Sequence, residues 1–261
     1  MRSRATFGLA FVAILLAGLV TGVASGERAQ RGNLIVSLDG DFFPHELPRD
    51  RLAPVGVRLG SEIHTSEGSP LPQVKQVELL LAGRGLISTR GLPVCPRARL
   101  RNASSRQALE RCAPALVGQG RLAADVALPQ QRPFAIHSRL LAFNGRTKAG
   151  RRGIWMHTFA TDPPISFVLP FVVHRRPGVF GTALVATVPK SAGPAPRLAS
   201  FEMTFLRRFR EGRERRSYLS ASCPAPAHFT AGFLTFARII YTFADGRQLR
   251  TETVRSCRAR R

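Results

Sequence analysis

FLTFARIIYTFADGRQLRTETVRSC (Phe233–Cys257) reads as a long β-hairpin, and that reading decides the fold class. Two runs of β-branched and aromatic residues flank Asp245-Gly246, a dipeptide that accepts the left-handed backbone angles of a two-residue type I′ turn. A turn centred there sets Phe243 opposite Gln248, Tyr241 opposite Arg250 and Ala237 opposite Val254. Tyr241 and Arg250 would then form a cross-strand cation–π pair. Apolar residues fall on both parities of the first strand, Phe236 and Ile240 on one side and Ala237, Ile239 and Tyr241 on the other. A strand that is apolar on both sides belongs inside a sheet, not at its edge.

Working outward, Pro, Gly and Asx-Gly punctuate the chain at roughly 8–12-residue intervals, the spacing of all-β sandwiches and barrels. Strands are expected at Asn33–Leu38, Pro54–Ile63, Val74–Ala82, Arg121–Leu128, Phe134–Phe143, Ile154–Ala160, Ser166–His174, Gly181–Val188, Ala199–Phe209 and Ser217–Ser222. One short helix interrupts them. In NASSRQALERC (Asn102–Cys112), Ser104 followed three residues later by Gln107 is a capping box. The predicted class is mainly β, an antiparallel immunoglobulin-like sandwich with one short helix inside a disulfide loop. A single domain over residues 26–261 is favoured, with TDPPIS (Thr161–Ser166) as the place where a division would fall.

The four cysteines, Cys95, Cys112, Cys223 and Cys257, allow three pairings. Each half of the chain has a Cys-Pro start (LPVCPRA, SASCPAP) and a later cysteine, which favours Cys95–Cys112 with Cys223–Cys257. A zinc site would need paired Cys-x-x-Cys or histidine spacings, which the sequence lacks. Export is consistent with disulfides. Arg2 and Arg4 precede a 14-residue uncharged apolar run, Phe7–Val20, and then Val23, Ala24 and Ser25. This is the layout of a signal peptide over residues 1–25, taken by the general secretory route. The apolar run is short of the roughly 20 residues of a membrane-spanning helix, so no transmembrane anchor is expected after cleavage.

Beyond composition, HELPRDRLAPVGVRLGSEI, GLPVCPRARL, CAPALVGQGR, LAFNGR, SYLSASCPAP and FADGRQLRTETVRSC resemble, in matching order, an uncharacterised group of exported, cysteine-containing β-rich proteins of high-GC bacteria. The shared motifs are prolines, glycines, cysteines and turns. The resemblance therefore implies an exported β framework and carries over no catalytic, cofactor or ligand residue.

The chain carries 39 Lys and Arg against 16 Asp and Glu, a formal charge of +23. Such a charge points to an anionic partner. All basic residues but Lys75, Lys148 and Lys190 are arginine, as GC-rich coding would also produce, and an exported chain meets no chromosome; nucleic acid is disfavoured. Anionic wall polymer or lipid headgroups are the expected partners. No sequence feature sets an oligomeric state.

Six arginines crowd FLRRFREGRERRSYLSASC (Phe205–Cys223): Arg207, Arg208, Arg210, Arg213, Arg215 and Arg216. Read as a hairpin turning at Glu211-Gly212, the stretch sets Phe205 opposite Tyr218 and opposes Arg208 to Arg215 and Arg207 to Arg216. Like charges in direct opposition need water, so this end is expected in solvent. A second basic loop, FNGRTKAGRRG (Phe143–Gly153), carries Arg146, Lys148, Arg151 and Arg152. If both lay at one end of the fold, these ten groups would form a polyanion-binding surface, because guanidinium forks bind phosphate bidentately.

Catalytic motifs are absent. His45, His64, His137, His157, His174 and His228 show no metal-ligand spacing, and no G-x-S-x-G or Ser-x-x-Lys occurs. Asp39 and Asp41 read as an Asx-Gly turn closing the first strand, since a calcium loop needs further oxygen ligands. No catalytic residue, metal or cofactor is predicted. The reading is a cell-envelope or secreted structural or binding protein; the alternative is an envelope hydrolase whose carboxylates assemble from distant residues.

Overall fold

A computed structural model describes residues 27–126, 134–189 and 197–260. The signal peptide expected over residues 1–25 lies outside them, as do the last two residues of the Arg121–Leu128 strand. In chain order the elements are β1 (Glu27–Arg31), β2 (Leu34–Phe43), β3 (Glu46–Pro48), β4 (Ala53–Pro54), β5 (Gly56–Thr65), β6 (Val74–Ala82) and β7 (Gly85–Ile87). Helix α1 (Ser105–Cys112), flanked by two short 3₁₀ turns, precedes β8 (Leu116–Val126), β9 (Phe134–Arg146), β10 (Arg152–Thr161), β11 (Pro164–Arg175) and β12 (Phe180–Thr187). The rest are β13 (Arg197–Phe205), β14 (Arg208–Glu211), β15 (Glu214–Ser217), β16 (Leu219–Ala221), β17 (Ala231–Phe243) and β18 (Gln248–Arg260).

Mainly antiparallel β structure with one short helix in a disulfide loop is what the strand spacing predicts. Thirteen strands form one sheet in the order β1-β2-β5-β13-β8-β9-β10-β11-β12-β6-β17-β18-β3, and only the β18–β3 pair is parallel. The facing layers are parts of this one sheet, which curls until its ends meet. Tyr241 on β17 donates to Ser61 Oγ on β5 at 3.0 Å, and Thr251 on β18 donates to the Glu27 carbonyl on β1 at 2.7 Å. Arg255 and Asp39 close the contact outside at 2.8 Å. Strict alternation drives the curl. Leu34, Val36 and Leu38 of β2, and Val57, Leu59 and Ile63 of β5, are buried and alternate with more exposed residues such as Ser37, Asp39, Arg58 and Glu62. Each such side chain contributes roughly 1.5–3 kcal/mol when buried.

A second, smaller core lies on the outer side of β9 and β10. The segment from Cys95 to Ala115 covers it with Leu100, Ala103 and Ala108 against Leu141, Phe143 and Trp155. Ser104 and Gln107 complete the expected capping box. The Cys95–Cys112 disulfide ties the two ends of this cover together. Polar anchors seat it on the sheet: Trp155 Nε1 donates to the Cys95 carbonyl (2.9 Å), Asn144 Nδ2 to the Pro93 carbonyl (2.8 Å) and His157 Nε2 to the Ala103 carbonyl (2.9 Å). Residues Leu140–Gly145 are consequently buried without alternation.

Three local expectations are corrected. The last hairpin turns around Asp245-Gly246, but Gly246 (φ +86°) follows a turn closed by its own N–H on the Phe243 carbonyl, and the Phe243 N–H donates to Arg247. The longer loop shifts the pairing to Tyr241 with Leu249 and Ile240 with Arg250. A one-residue shift reverses faces, so Tyr241 is fully buried and the Tyr241–Arg250 pair does not form. The apolar residues on both parities of β17 come from a bulge between Thr235 and Ala237, which brings Leu234 and Phe236 inward along with Ala237, Ile239 and Tyr241.

Next, Asp39-Gly40-Asp41 is no turn: β2 runs straight through it. Gly40 is required there because a Cβ would lie 2.8 Å from both Leu59 and the Phe236 ring. Finally, the arginine hairpin turns at Gly212-Arg213, with Gly212 at φ +59°. Arg208 pairs with Ser217, Phe209 with Arg216, and Arg210 with Arg215. Phe205 and Tyr218 still stack, with centroids 6.3 Å apart, as packed neighbours beyond the end of the hairpin ladder.

Candidate anion-binding groove

The arginines that converge come from three separate stretches of chain. β9 and β10 are joined by a tight turn in which the Gly150 N–H donates to the Thr147 carbonyl, and the Thr147 N–H donates to the Arg151 carbonyl. This turn opposes Arg146 to Arg152 directly across the ladder. The loop after β7 brings Arg90, and the end of β11 brings Arg175. Arg90, Arg146, Arg151, Arg152 and Arg175 line one open groove of about 570 Å³ together with Ser88 and Thr89, with no carboxylate among its lining residues. Arg152 also donates to the Ile87 carbonyl at 3.3 Å, which holds its guanidinium at the base of the groove.

The arginine hairpin β14–β15 stands beside this groove. Glu211 makes the junction: one carboxylate oxygen lies 3.0 Å from Arg90 Nε and the other 2.6 Å from Arg216 Nε. Gly91, at φ +74°, leaves room for the Glu211 side chain; a Cβ there would lie 3.1 Å from it. Thus the arginine hairpin stands at the groove's end of the molecule, joined through Glu211 to Arg90, which lines the groove with Arg146, Arg151 and Arg152 of the other basic loop.

The predicted residues separate into distinct settings. Arg146, Arg151 and Arg152 line the groove, whereas Lys148 is exposed on the turn and does not line it. Arg208, Arg210, Arg213 and Arg215 are exposed along the hairpin. Arg216 is half-buried on Glu211 and Glu214. Arg207 turns away to donate to the Pro114 carbonyl at 3.1 Å, packing the hairpin base on the helical cover. Arg90 and Arg175 lie outside the two basic loops that the sequence singles out, Arg175 in a separate Arg175-Arg176 pair; only the fold places them in the groove.

Cys223–Cys257 and Cys95–Cys112 are both bonded, with Cα separations of 5.8 and 5.5 Å, and no free cysteine remains. His157 is fully buried, and desolvation lowers its pKa below the usual histidine range, so it is a neutral structural group. No cluster of metal-ligating side chains occurs among the described residues.

A second concavity of about 1110 Å³ lies outside β2, β5, β13, β8 and β9. It combines Asp39, Glu62 and Glu202 with Arg28, Arg58, Arg121, Arg139 and His137. Two of its carboxylates are already paired, Glu202 with Arg121 at 2.7 Å and Asp39 with Arg255 at 2.8 Å. Three carboxylates thus stand against its four arginines, whereas the first groove has none among its lining residues.

Comparison with protein-family models, curated proteins and solved structures gives no match. The two disulfides are those of a chain matured in an oxidising, extracellular or exported setting. Among the described residues no helix is long and apolar enough to cross a membrane.

Proposed function

We propose that the protein is an exported binding module of the cell envelope that takes anionic groups into the groove lined by Arg90, Arg146, Arg151, Arg152 and Arg175. A signal peptide and the general secretory route deliver it. The role is immunoglobulin-like in kind: a disulfide-bonded β framework carries its binding loops at one end.

The observation that carries the reading is the direct opposition of Arg146 and Arg152 in a groove with no lining carboxylate. Like charges directly opposite each other destabilise a sheet, and a bound anion turns that cost into affinity through charge-assisted hydrogen bonds. The Arg210–Arg215 opposition on the hairpin is exposed on both sides, where water and salt screen it, whereas Arg152 is half-buried opposite an exposed Arg146.

Salt elution from an immobilised polyphosphate or heparin resin tests the reading. Serine at Arg146, Arg151 and Arg175 together should elute the protein at clearly lower salt than the same change at Arg210, Arg213 and Arg215. Equal shifts for the two triples would reduce the groove to general surface charge.

The three carboxylates of the second concavity favour the hydrolase alternative over a structure without any acidic cleft. Glycoside hydrolysis needs two carboxylates facing each other across the bond, and here the arginine pairing of Asp39 and Glu202 leaves Glu62 as the acidic group without a bridge among the described residues. Turnover of wall polysaccharide abolished by Glu62→Gln would reinstate that alternative.

A further inference from the structure

The interior of the curled sheet is not filled. Three apolar cavities, of about 70, 110 and 120 Å³, follow one another through it. The first and second share Leu59, Leu79, Leu184 and Phe205 as walls; the second and third share Val77, Leu122, Phe167 and Leu169. The side chains of Met156, Phe167, Leu169, Leu198 and Phe201 line this path and are only half-buried. Protein interiors are packed as densely as organic crystals, with few voids larger than a water. A void lined by Leu, Ile and Phe stays dry and accepts hydrocarbon.

The first cavity adjoins the arginine groove. Leu86 and Ile87 line both, so β7 forms the partition between the apolar interior and the cationic surface. At this partition sits a polar group without a partner. Tyr218 lines the first cavity, is 1% exposed, and its hydroxyl makes no hydrogen bond among the described residues. Burial pushes its pKa up, so it remains a donor, and the charge of Arg152 is the opposing influence on it. The far end of the path differs. Ser138 and Thr158 there satisfy each other at 2.6 Å, and the concavity beyond them carries three carboxylates among its lining residues.

From this arrangement we infer that the ligand of the arginine groove is a single-chain anionic amphiphile, its alkyl chain in the cavity path and its head between Arg152 and the Tyr218 hydroxyl. The inference rests on the anion-binding reading above and names the ligand class of that same site. The chain supplies apolar contact to the half-buried wall. The head accepts from the otherwise unpartnered tyrosine and faces Arg146, Arg151, Arg152 and Arg175.

Equilibrium dialysis of the delipidated mature protein against palmitate, hexadecyl phosphate, hexadecanol, hexadecyltrimethylammonium and a carboxylate series from hexanoate upward tests it. One palmitate or hexadecyl phosphate should bind per chain, the tighter of the two naming the head. Affinity should rise about fourfold per methylene along the series. Hexadecanol and the cationic surfactant should bind at least tenfold more weakly.

Tyr218→Phe and Arg152→Gln, the latter keeping a donor for the Ile87 carbonyl, should each weaken palmitate about tenfold and leave hexadecanol unchanged. Arg139→Ser, at the opposite concavity, should do neither. Absence of any C16 binding with polyphosphate retention intact overturns this inference and leaves the groove reading standing; loss of both overturns both. Palmitate binding that responds to Arg139→Ser and not to Tyr218→Phe or Arg152→Gln overturns the placement of the head.

Discussion

Replacing Cys223 and Cys257 together by alanine measures how much of the stability depends on one cross-link. That bond fastens the segment after β16 to the last strand across a sequence separation of 34 residues. In the chain-entropy model, closing a loop of that length in the unfolded chain stabilises the fold by about 4 kcal/mol. The same arithmetic gives about 3 kcal/mol for Cys95–Cys112, which closes 17. Both sulfurs of the longer link are buried, so truncation adds a small packing loss to the entropic one. The surroundings can otherwise persist: the Cys223 N–H donates to the Pro48 carbonyl, and β3 pairs with β18 without help from sulfur.

The assay is equilibrium urea unfolding followed by far-UV circular dichroism. With a slope of about 2–3 kcal/mol per molar, the midpoint should fall by roughly 1.3–2 M. The Cys95→Ala, Cys112→Ala pair should fall less, and its loss should include the near-ultraviolet signal of Trp155, whose indole donates to Cys95. A loss below about 1 kcal/mol for the Cys223–Cys257 pair would refute the loop-closure reasoning. So would a larger loss for the shorter loop.

Other perturbations have outcomes fixed by single contacts. Gly145→Ala places a Cβ 2.2 Å from the Trp155 ring, so thermal unfolding should show about 1–3 kcal/mol of destabilisation with a shifted tryptophan emission. Tyr241→Phe removes the hydroxyl that donates to Ser61, but Ser61 keeps its own bond to the Ser37 carbonyl; urea titration should find about 1 kcal/mol lost. His157 has a folded pKa below its unfolded value, so the unfolded chain binds the extra proton first. Its contribution is present above the unfolded value of about 6.5 and is lost as pH falls below it. Unfolding free energy between pH 7 and 5 should therefore decline less steeply in His157→Gln than in the parent, and an identical slope would remove histidine as the cause.

Composition and turn residues made the β class, the helix cap and both disulfides legible, because each is a local chemical signal. Register was not. Asp245-Gly246 announces a turn, but whether one or two residues precede the left-handed glycine sets the face of Tyr241, and the bulge near Phe236 conceals the alternation of β17. Asp39-Gly40 resembles a turn in sequence; its glycine instead answers to Phe236, which approaches from a strand nearly two hundred residues away. The groove was half legible. Arg146, Arg151 and Arg152 come from a visible basic loop, whereas Arg90 and Arg175 become its neighbours only when β7 and β11 reach the same end. The conspicuous hairpin arginines, by contrast, mostly face solvent beside the groove. Empty space inside the sheet leaves no mark in the sequence at all, since Phe167, Leu169 and Phe201 read as ordinary core.

The groove itself is tested most directly by the guanidinium Nε–Hε resonances of the ¹⁵N-arginine-labelled protein, titrated with hexadecyl phosphate. Shifts confined to Arg90, Arg146, Arg151, Arg152 and Arg175, with Arg210, Arg213 and Arg215 unmoved, are the predicted result. Shifts spread evenly over the hairpin and the remaining surface arginines would contradict it.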